Sequence, residues 1–210
     1  MTIRPIGQSR LLSVIALMGM SLVLAQPAAQ AGVFNIPNFI SQGKNAVGIG
    51  PELNLSNDTG LALNLRYQLG ISQLSNLHLI TGPGGGERHF RIGAAYTFDF
   101  FPDMQGQPGI GLALQGMYYR YSGNRGQFEP TFIPYLHKEF RNNTGGSVEP
   151  FVAIPMGMEF KDGESDFIAT LVLGTKFKTS NPSITYIGEL GANLSETETY
   201  VSGGVVFSID

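Results

Sequence analysis

Two long segments of the chain place an apolar residue at every second position. The first is LALNLRYQLGI at 61–71, and the second is HFRIGAAYTFDF at 89–100. Successive side chains of a β-strand point to opposite faces, so each segment has one apolar face and one polar or small face. Strands of soluble proteins usually have about 5–6 residues, roughly half the length of these segments. The alternation therefore predicts long strands that lie between two different environments.

The same alternation recurs along the chain and gives ten candidate strands. They run over 47–55, 61–71, 77–79, 89–100, 110–119, 128–137, 152–160, 167–178, 184–194 and 201–209. Stretches rich in Gly, Asn, Ser and Pro separate them and predict turns. Prolines in and around the sixth and seventh strands are unfavourable there, because proline cannot donate to a β-ladder: Pro130, Pro134, Pro150 and Pro155. We expect an all-β fold, an antiparallel up-and-down barrel of about ten strands, with about eight as the alternative.

The N-terminal residues have the layout of a secretory signal peptide. Arg4 and Arg10 precede or flank an apolar run at 11–24, and Ala29-Gln30-Ala31 provides a cleavage site. An uncleaved membrane anchor is the alternative, but the run is short for a spanning helix. The sequence therefore predicts a cleaved signal peptide at 1–31, a periplasmic N-terminal segment at 32–44 and a transmembrane barrel at 45–210.

The charge content indicates which strand face contacts lipid. Charged residues make up 14% of the chain, against about 25% in ordinary soluble proteins, and the mean hydropathy is +0.05. A soluble barrel would carry many Lys and Glu on its outer face, whereas the polar faces here hold mainly Gly, Ala, Thr, Asn and Gln. An arginine such as Arg66 on a lipid-facing side would cost about 2–4 kcal/mol at the bilayer centre. We therefore expect the apolar faces to contact lipid and the polar faces to line the lumen.

Ionisable residues on the polar faces form the candidate lumen set. They are Glu52, Arg66, His89, Arg91, Glu129, Glu159, Lys176, Lys178 and Glu189. Charges removed from water must be paired and hydrogen-bonded, so this set predicts a lumen crossed by ion pairs. A barrel of about ten strands is also narrow enough for side chains to fill much of it. We expect a closed or very narrow lumen, with a pore for small solutes as the alternative.

Aromatic residues near the strand ends predict two girdles at the membrane interfaces. With the N-terminus in the periplasm, the outer girdle comprises Tyr118, Phe128, Phe160 and Phe167. The inner girdle comprises Phe98, Phe100, Phe140, Phe177 and Phe207. The general preference of aromatic residues for strands is the alternative explanation of their positions.

With this pattern, the chain resembles the small outer-membrane β-barrel proteins of Gram-negative bacteria. The stretch at 65–79 and the last strand carry the resemblance most clearly. Members of that family usually end on a phenylalanine, whereas Phe207 is followed here by Ser208-Ile209-Asp210. The resemblance implies a location in the cell outer membrane, contact with outer-membrane lipid, and assembly by the barrel-assembly machinery.

The sequence does not indicate an enzyme, a cofactor or a metal site. His78, His89 and His137 have no metal-binding spacing, and no serine accompanies His89 in a recognisable nucleophile arrangement. The net charge of -3 provides no basic surface for nucleic acid. We expect a structural or interaction role in the envelope, with a narrow porin-like channel as the first alternative and a secreted soluble ligand-binding barrel as the second.

Overall fold

The computed structural model describes residues 39–56, 60–143 and 145–209, and most of these residues form β-strands. The predicted signal peptide at 1–31 lies outside the described residues. The strands are β1 (Asn45–Asn54), β2 (Leu61–Ser72), β3 (Ser75–Pro83), β4 (Arg88–Phe101), β5 (Gly109–Tyr121), β6 (Gly126–His137), β7 (Phe140–Arg141), β8 (Ser147–Ala153), β9 (Met156–Lys161), β10 (Glu164–Lys178), β11 (Ile184–Ser195) and β12 (Tyr200–Ile209). None of the described residues belongs to a helix long and apolar enough to cross a membrane.

The strands form one antiparallel sheet that closes on itself. From β1 to β6 each strand pairs with the next in the chain, and β12 pairs with β1 from Asn45↔Ile209 to Asn54↔Tyr200. Strands β8 and β9 together make the seventh crossing between β6 and β10, and β10 pairs with β11. The barrel thus has ten crossings, as the alternation predicts. The start of β1 and the end of β12 lie at the same rim of the barrel. This rim is named the terminal rim, and the opposite one the distal rim.

The seventh crossing is divided at Ile154 and Pro155. Proline has no N–H, so this strand loses one donor at that point. The neighbouring backbone groups remain paired: the Ile154 N–H donates to the Pro134 carbonyl at 3.1 Å, and the Pro155 carbonyl accepts from the Thr170 N–H at 3.0 Å. The sixth and seventh strands are therefore both present despite their prolines, the seventh in two pieces.

The outer surface of the barrel is apolar, and the inner surface is mainly polar. Along β2, Leu65 is 36% exposed and Gln68 is 1% exposed, and the same alternation of exposed and buried side chains follows β1 and β6. Large exposed apolar side chains occur on every crossing. This belt far exceeds the apolar patches of soluble monomers, and contact with lipid accounts for it. The prediction of a transmembrane β-barrel is confirmed.

Aromatic rings in the lumen lie directly over glycines of a neighbouring strand. Phe151 on β8 pairs with Gly174 on β10, and its ring occupies the space that a Cβ at Gly174 would need. Tyr200 lies over Gly191 in the same way. These glycines let the rings pack against the backbone and fill the lumen. Part of the high glycine content, 28 residues, therefore has a packing cause.

We expect Gly174→Ala to destabilise the barrel. The added methyl group must displace the Phe151 ring, and such overpacking costs about 1–3 kcal/mol. Gly188→Ala on the adjacent strand is the matched control, since nothing lies within 4 Å of its new Cβ, and it should be neutral or stabilising by up to about 1 kcal/mol. Urea unfolding in detergent, followed by heat-modifiable migration on gels, measures both. Equal unfolding midpoints for the two variants would contradict the packing argument.

Candidate functional site

Most of the ionisable side chains that the sequence predicts in the lumen lie there. Seven of them are at most 5% exposed: Glu52, Arg66, Arg91, Glu129, Glu159, Lys176 and Glu189. Lys178 lies at the terminal rim, where its side chain is 37% exposed. The candidate functional site is therefore the charged interior of the barrel, and its chemistry depends on how these side chains pair.

His89 does not face the lumen, which corrects the prediction from the sequence. A β-bulge lies at this point: Arg88 pairs with Tyr121, and Phe90 pairs with Arg120, so His89 has no partner of its own in the ladder between β4 and β5. The bulge changes the alternation, and Arg88 points inward, 5% exposed, in place of His89. The imidazole of His89 is exposed at the distal rim.

A distal cluster of charges centres on the carboxylate of Glu52. Arg91 Nη1 donates to Glu52 Oε2 at 2.9 Å, Asn64 Nδ2 donates to the same oxygen at 3.1 Å, and Arg88 Nη1 lies 3.4 Å from Glu52 Oε1. Arg88 Nη2 also donates to Glu198 Oε2 at 2.6 Å. This cluster joins β1, β2 and β4 to the loop between β11 and β12 across the interior.

Aromatic side chains complete the distal cluster. The guanidinium of Arg88 lies over the ring of Tyr119, 5.1 Å from its centroid, which is a cation–π distance. Tyr119 belongs to an apolar cluster with Ile80, Ala95, Met117 and Tyr121. The charges of the distal cluster are therefore held against a packed group of side chains.

A terminal cluster of charges centres on the imidazole of His137. Its Nε2 lies 3.1 Å from Asp99 Oδ2, and its Nδ1 lies 2.8 Å from Glu149 Oε1. Lys176 Nζ donates to Glu149 Oε1 at 2.6 Å, and the phenol of Tyr135 donates to Asp99 Oδ1 at 2.8 Å. Acids and bases therefore alternate across β4, β6, β8 and β10, which ties the four strands together from inside.

The ion pairs expected within the predicted lumen set are found only in part. Glu52 pairs with Arg91, and both belong to the predicted lumen set. Lys176 and Lys178, however, pair with Glu149, and Lys178 also pairs with Glu139. Glu129 accepts a hydrogen bond from Gln127 at 2.5 Å.

Arg88, Asp99, His137, Glu149 and Glu198 are interior residues that were absent from the predicted set. Asp99 and His137 lie on the polar faces of their predicted strands, so the alternation alone would have included them. Glu149 follows from the same alternation once the seventh strand is extended back from Ala153. Arg88 depends on the bulge and Glu198 on a loop, and the alternation signals neither.

Glu139 lies at the terminal rim, between β6 and β7, outside the strands that cross the membrane. It binds three neighbouring side chains there. Its carboxylate accepts hydrogen bonds from Ser147 Oγ at 2.8 Å, Arg141 Nε at 2.8 Å and Lys178 Nζ at 3.1 Å. Burial alone raises the pKa of this carboxyl. The hydrogen bond from Ser147, the charge of Lys178 and the hydrogen bonds from Arg141 and Lys178 outweigh burial and lower the pKa from 4.5 to about 2.

The stretch before β1 packs into the terminal end of the lumen. Ile40 is 7% exposed and belongs to the lumen's apolar cluster with Ala46 and Ile133. The ring of Phe39 lies 6.4 Å from the ring of His137. A cavity of about 630 Å³ lies beside this stretch, and its lining includes Lys44, Glu139, Arg141, Asn142, Ser147 and Lys178.

The predicted girdle residues point outward. Those near the distal rim are exposed: Tyr118, Phe128, Phe160 and Phe167. Those near the terminal rim are exposed as well, except Phe98: Phe100, Phe140, Phe177 and Phe207. Phe98 is half-buried between the rings of Tyr96 and Phe100, whose centroids lie 5.7 Å and 4.6 Å from its own.

Among the described residues, no three His, Asp or Glu side chains are grouped so that they could hold a metal ion.

Comparisons with known proteins find likeness of fold without likeness of sequence. No protein-family model matches the chain, and no curated protein matches it. An outer-membrane channel of Pseudomonas putida aligns with 86% of this chain and 100% of its own, at 10% identity and a TM-score of 0.50. A de novo designed transmembrane β-barrel covers 81% of this chain and 99% of its own (13% identity, TM-score 0.40). Ail, the attachment invasion locus protein of Yersinia pestis, covers 80% of this chain and 99% of its own (10% identity, TM-score 0.29). The channel alignment agrees with the transmembrane β-barrel described above.

We expect Glu149→Gln to destabilise the barrel by about 3–5 kcal/mol, because it leaves the buried ammonium of Lys176 without its carboxylate. Glu87→Gln is the matched control, since Glu87 pairs with Arg125 in an exposed ion pair at the distal rim. Exposed pairs contribute about 0–1 kcal/mol. Chemical unfolding in detergent measures both variants, and similar losses would show that the terminal cluster is no more important than a surface pair.

We expect the contribution of Glu139 to depend on pH. A carboxyl whose pKa is lowered on folding stabilises the folded state above its unfolded pKa of 4.5, and this stabilisation is lost as the pH falls through about 2. Glu139→Gln should therefore be less stable than the wild type at pH 7, and the difference should shrink between pH 4.5 and 2. Unfolding midpoints at several pH values measure this. A difference that does not change with pH would contradict the assignment.

Proposed function

We propose that the protein resides in the outer membrane of a Gram-negative bacterium as a barrel with a filled lumen, with a structural or interaction role in the envelope. Its outer face contacts membrane lipid, and the barrel-assembly machinery inserts it. The apolar belt, the ten crossings and the aromatic side chains near both rims support this location.

The observation that carries the proposal is the near-zero exposure of the lumen side chains. Arg91, Ala113, Met117 and Ile133 are 0% exposed, and Lys176 is 1% exposed. The side chains that line a water-filled pore are wetted along its length, so they retain exposed surface. Here, ion pairs and apolar contacts among the lumen side chains fill the interior. Ile40 and Phe39 add to this filling at the terminal end.

A narrow channel for small solutes is the second candidate. The aligned protein of Pseudomonas putida is described as an outer-membrane channel. The cavity of about 630 Å³ at the terminal rim also provides a polar entrance on one side of this barrel. For conduction, the distal and terminal clusters would have to separate and admit water.

Planar-bilayer recording and thiol labelling together test the filled lumen. We expect the purified wild-type protein to show no discrete conductance steps, because paired side chains occupy the lumen. The chain contains no cysteine, so a single Ala113→Cys variant reports directly on water in the lumen. It should react slowly with a small water-soluble methanethiosulfonate reagent.

Glu87→Cys is the control, since it places a thiol at an exposed turn of the distal rim and should react fast. Discrete conductance steps in the wild type, together with equally fast labelling of Ala113→Cys and Glu87→Cys, would reject the filled lumen in favour of the channel.

A further inference from the structure

Arg120 differs from the other described arginines in what it contacts. Four of them form ion pairs with glutamates: Arg88, Arg91, Arg125 and Arg141. Arg66 is buried in the lumen. Arg120 Nη1 donates to the phenol oxygen of Tyr118 at 3.3 Å. Within residues 39–56, 60–143 and 145–209, no carboxylate lies within 4.0 Å of its guanidinium. Its charge therefore lacks an acidic counterpart in the described part of the protein.

Arg120 also lies on the lipid-facing side of the barrel, near the distal rim. It is the residue before the last of β5, it alternates with the buried Tyr119 and Tyr121, and it pairs with the exposed Phe90 on β4. An outward-facing arginine costs about 2–4 kcal/mol at the bilayer midplane but only about 0–1 kcal/mol near the interface. Aromatic side chains such as Tyr118 concentrate at headgroup level. The position of Arg120 is thus compatible with the headgroup region.

Polar groups beside Arg120 extend this surface. The bulge in β4 turns His89 outward, and its Nε2 lies 3.1 Å from Ser122 Oγ. Ser122 follows β5 directly, and its carbonyl accepts a hydrogen bond from Arg125 Nε at 3.2 Å. His89, Tyr118, Arg120 and Ser122 are named the distal-rim patch. The patch presents a guanidinium, a phenol, an imidazole and a hydroxyl together at the outer edge of the barrel.

We propose that the distal-rim patch binds the phosphate of an anionic lipid headgroup in the leaflet at the distal rim. The planar guanidinium of Arg120 offers parallel N–H donors that match phosphate oxygens. The exposed rings of Phe90 and Phe128 flank the patch on the apolar face, where the acyl chains of a lipid lie. This combination of one cation and adjacent apolar surface favours a lipid over a free anion. The inference rests on the membrane location proposed above.

Native mass spectrometry of the protein in nanodiscs tests the proposal. The nanodiscs contain phosphatidylcholine with a minority of phosphatidylglycerol, and the measured quantity is the ratio of the two lipids retained. We expect the wild type to enrich phosphatidylglycerol, and Arg120→Gln to reduce the enrichment about fivefold, the effect of one basic residue near an anionic surface. Arg120→Lys keeps the charge and should retain most of the enrichment.

Arg141→Gln is the matched control, because it removes an arginine that is 81% exposed and already paired with Glu139 at the opposite rim. It should leave the lipid ratio unchanged. Equal ratios for the wild type and Arg120→Gln, or equal reductions in Arg120→Gln and Arg141→Gln, would overturn the proposal. Displacement of phosphatidylglycerol by inorganic phosphate would overturn it too, in favour of a site for soluble anions.

Insertion into the nanodiscs is scored separately by heat-modifiable migration. A wild-type protein that does not insert would overturn the membrane location and the lipid site together. A wild-type protein that inserts without enriching phosphatidylglycerol would overturn the lipid site alone.

Discussion

Backbone hydrogen bonding in the absence of water is the constraint on which this structure depends. Inside the hydrocarbon of the membrane, each backbone N–H or C=O group without a hydrogen bond costs several kcal/mol. A sheet that spans a membrane must therefore have no open edge. The pairing of β1 with β12 removes the edges, and the pairing continues around the division at Pro155. Closure in turn creates an enclosed interior, and each polar side chain that points inward must find a partner there.

Two groups of charges and packed apolar side chains meet this requirement for part of the interior. Glu52 accepts hydrogen bonds from three side chains near the distal rim. His137 lies between two carboxylates near the terminal rim. The apolar cluster of Ala113, Ile133 and Val172 also lies in the lumen. Removing one member of a buried pair leaves an uncompensated charge, so these contacts favour a single register of the strands. The charges thereby link the filling of the lumen to the specificity of the fold.

The sequence predicts the faces of the strands better than their contacts. Side-chain direction in a strand has a period of two, so Leu65 and Gln68 are assigned to opposite sides from the sequence alone, and the ten crossings follow from the repeated pattern. The bulge at His89 breaks this period, because one extra residue reverses the direction of those beyond it. The local sequence carries no evident signal for that insertion.

The partners of the interior charges also escape sequence analysis. The carboxylate of Glu149 reaches His137 and Lys176 because β6, β8 and β10 are neighbours in a particular register. Alternation identifies which residues point inward, but it does not give their height in the barrel. Pairing of Lys176 with Glu149 therefore requires the three-dimensional arrangement, and so does the contact of Phe39 with His137.

The closure between β1 and β12 also has a consequence for the time course of folding. Asn45 and Ile209 are adjacent in the sheet although nearly the whole described chain separates them. Contacts between distant parts of a sequence form slowly, because the entropy of the intervening chain is lost before they stabilise it. The hairpins from β1 to β11 can form from local contacts, whereas β1 has one unpaired edge until the last strand arrives. An unpaired edge can pair with other chains, so the barrel is prone to aggregation until β12 pairs with β1.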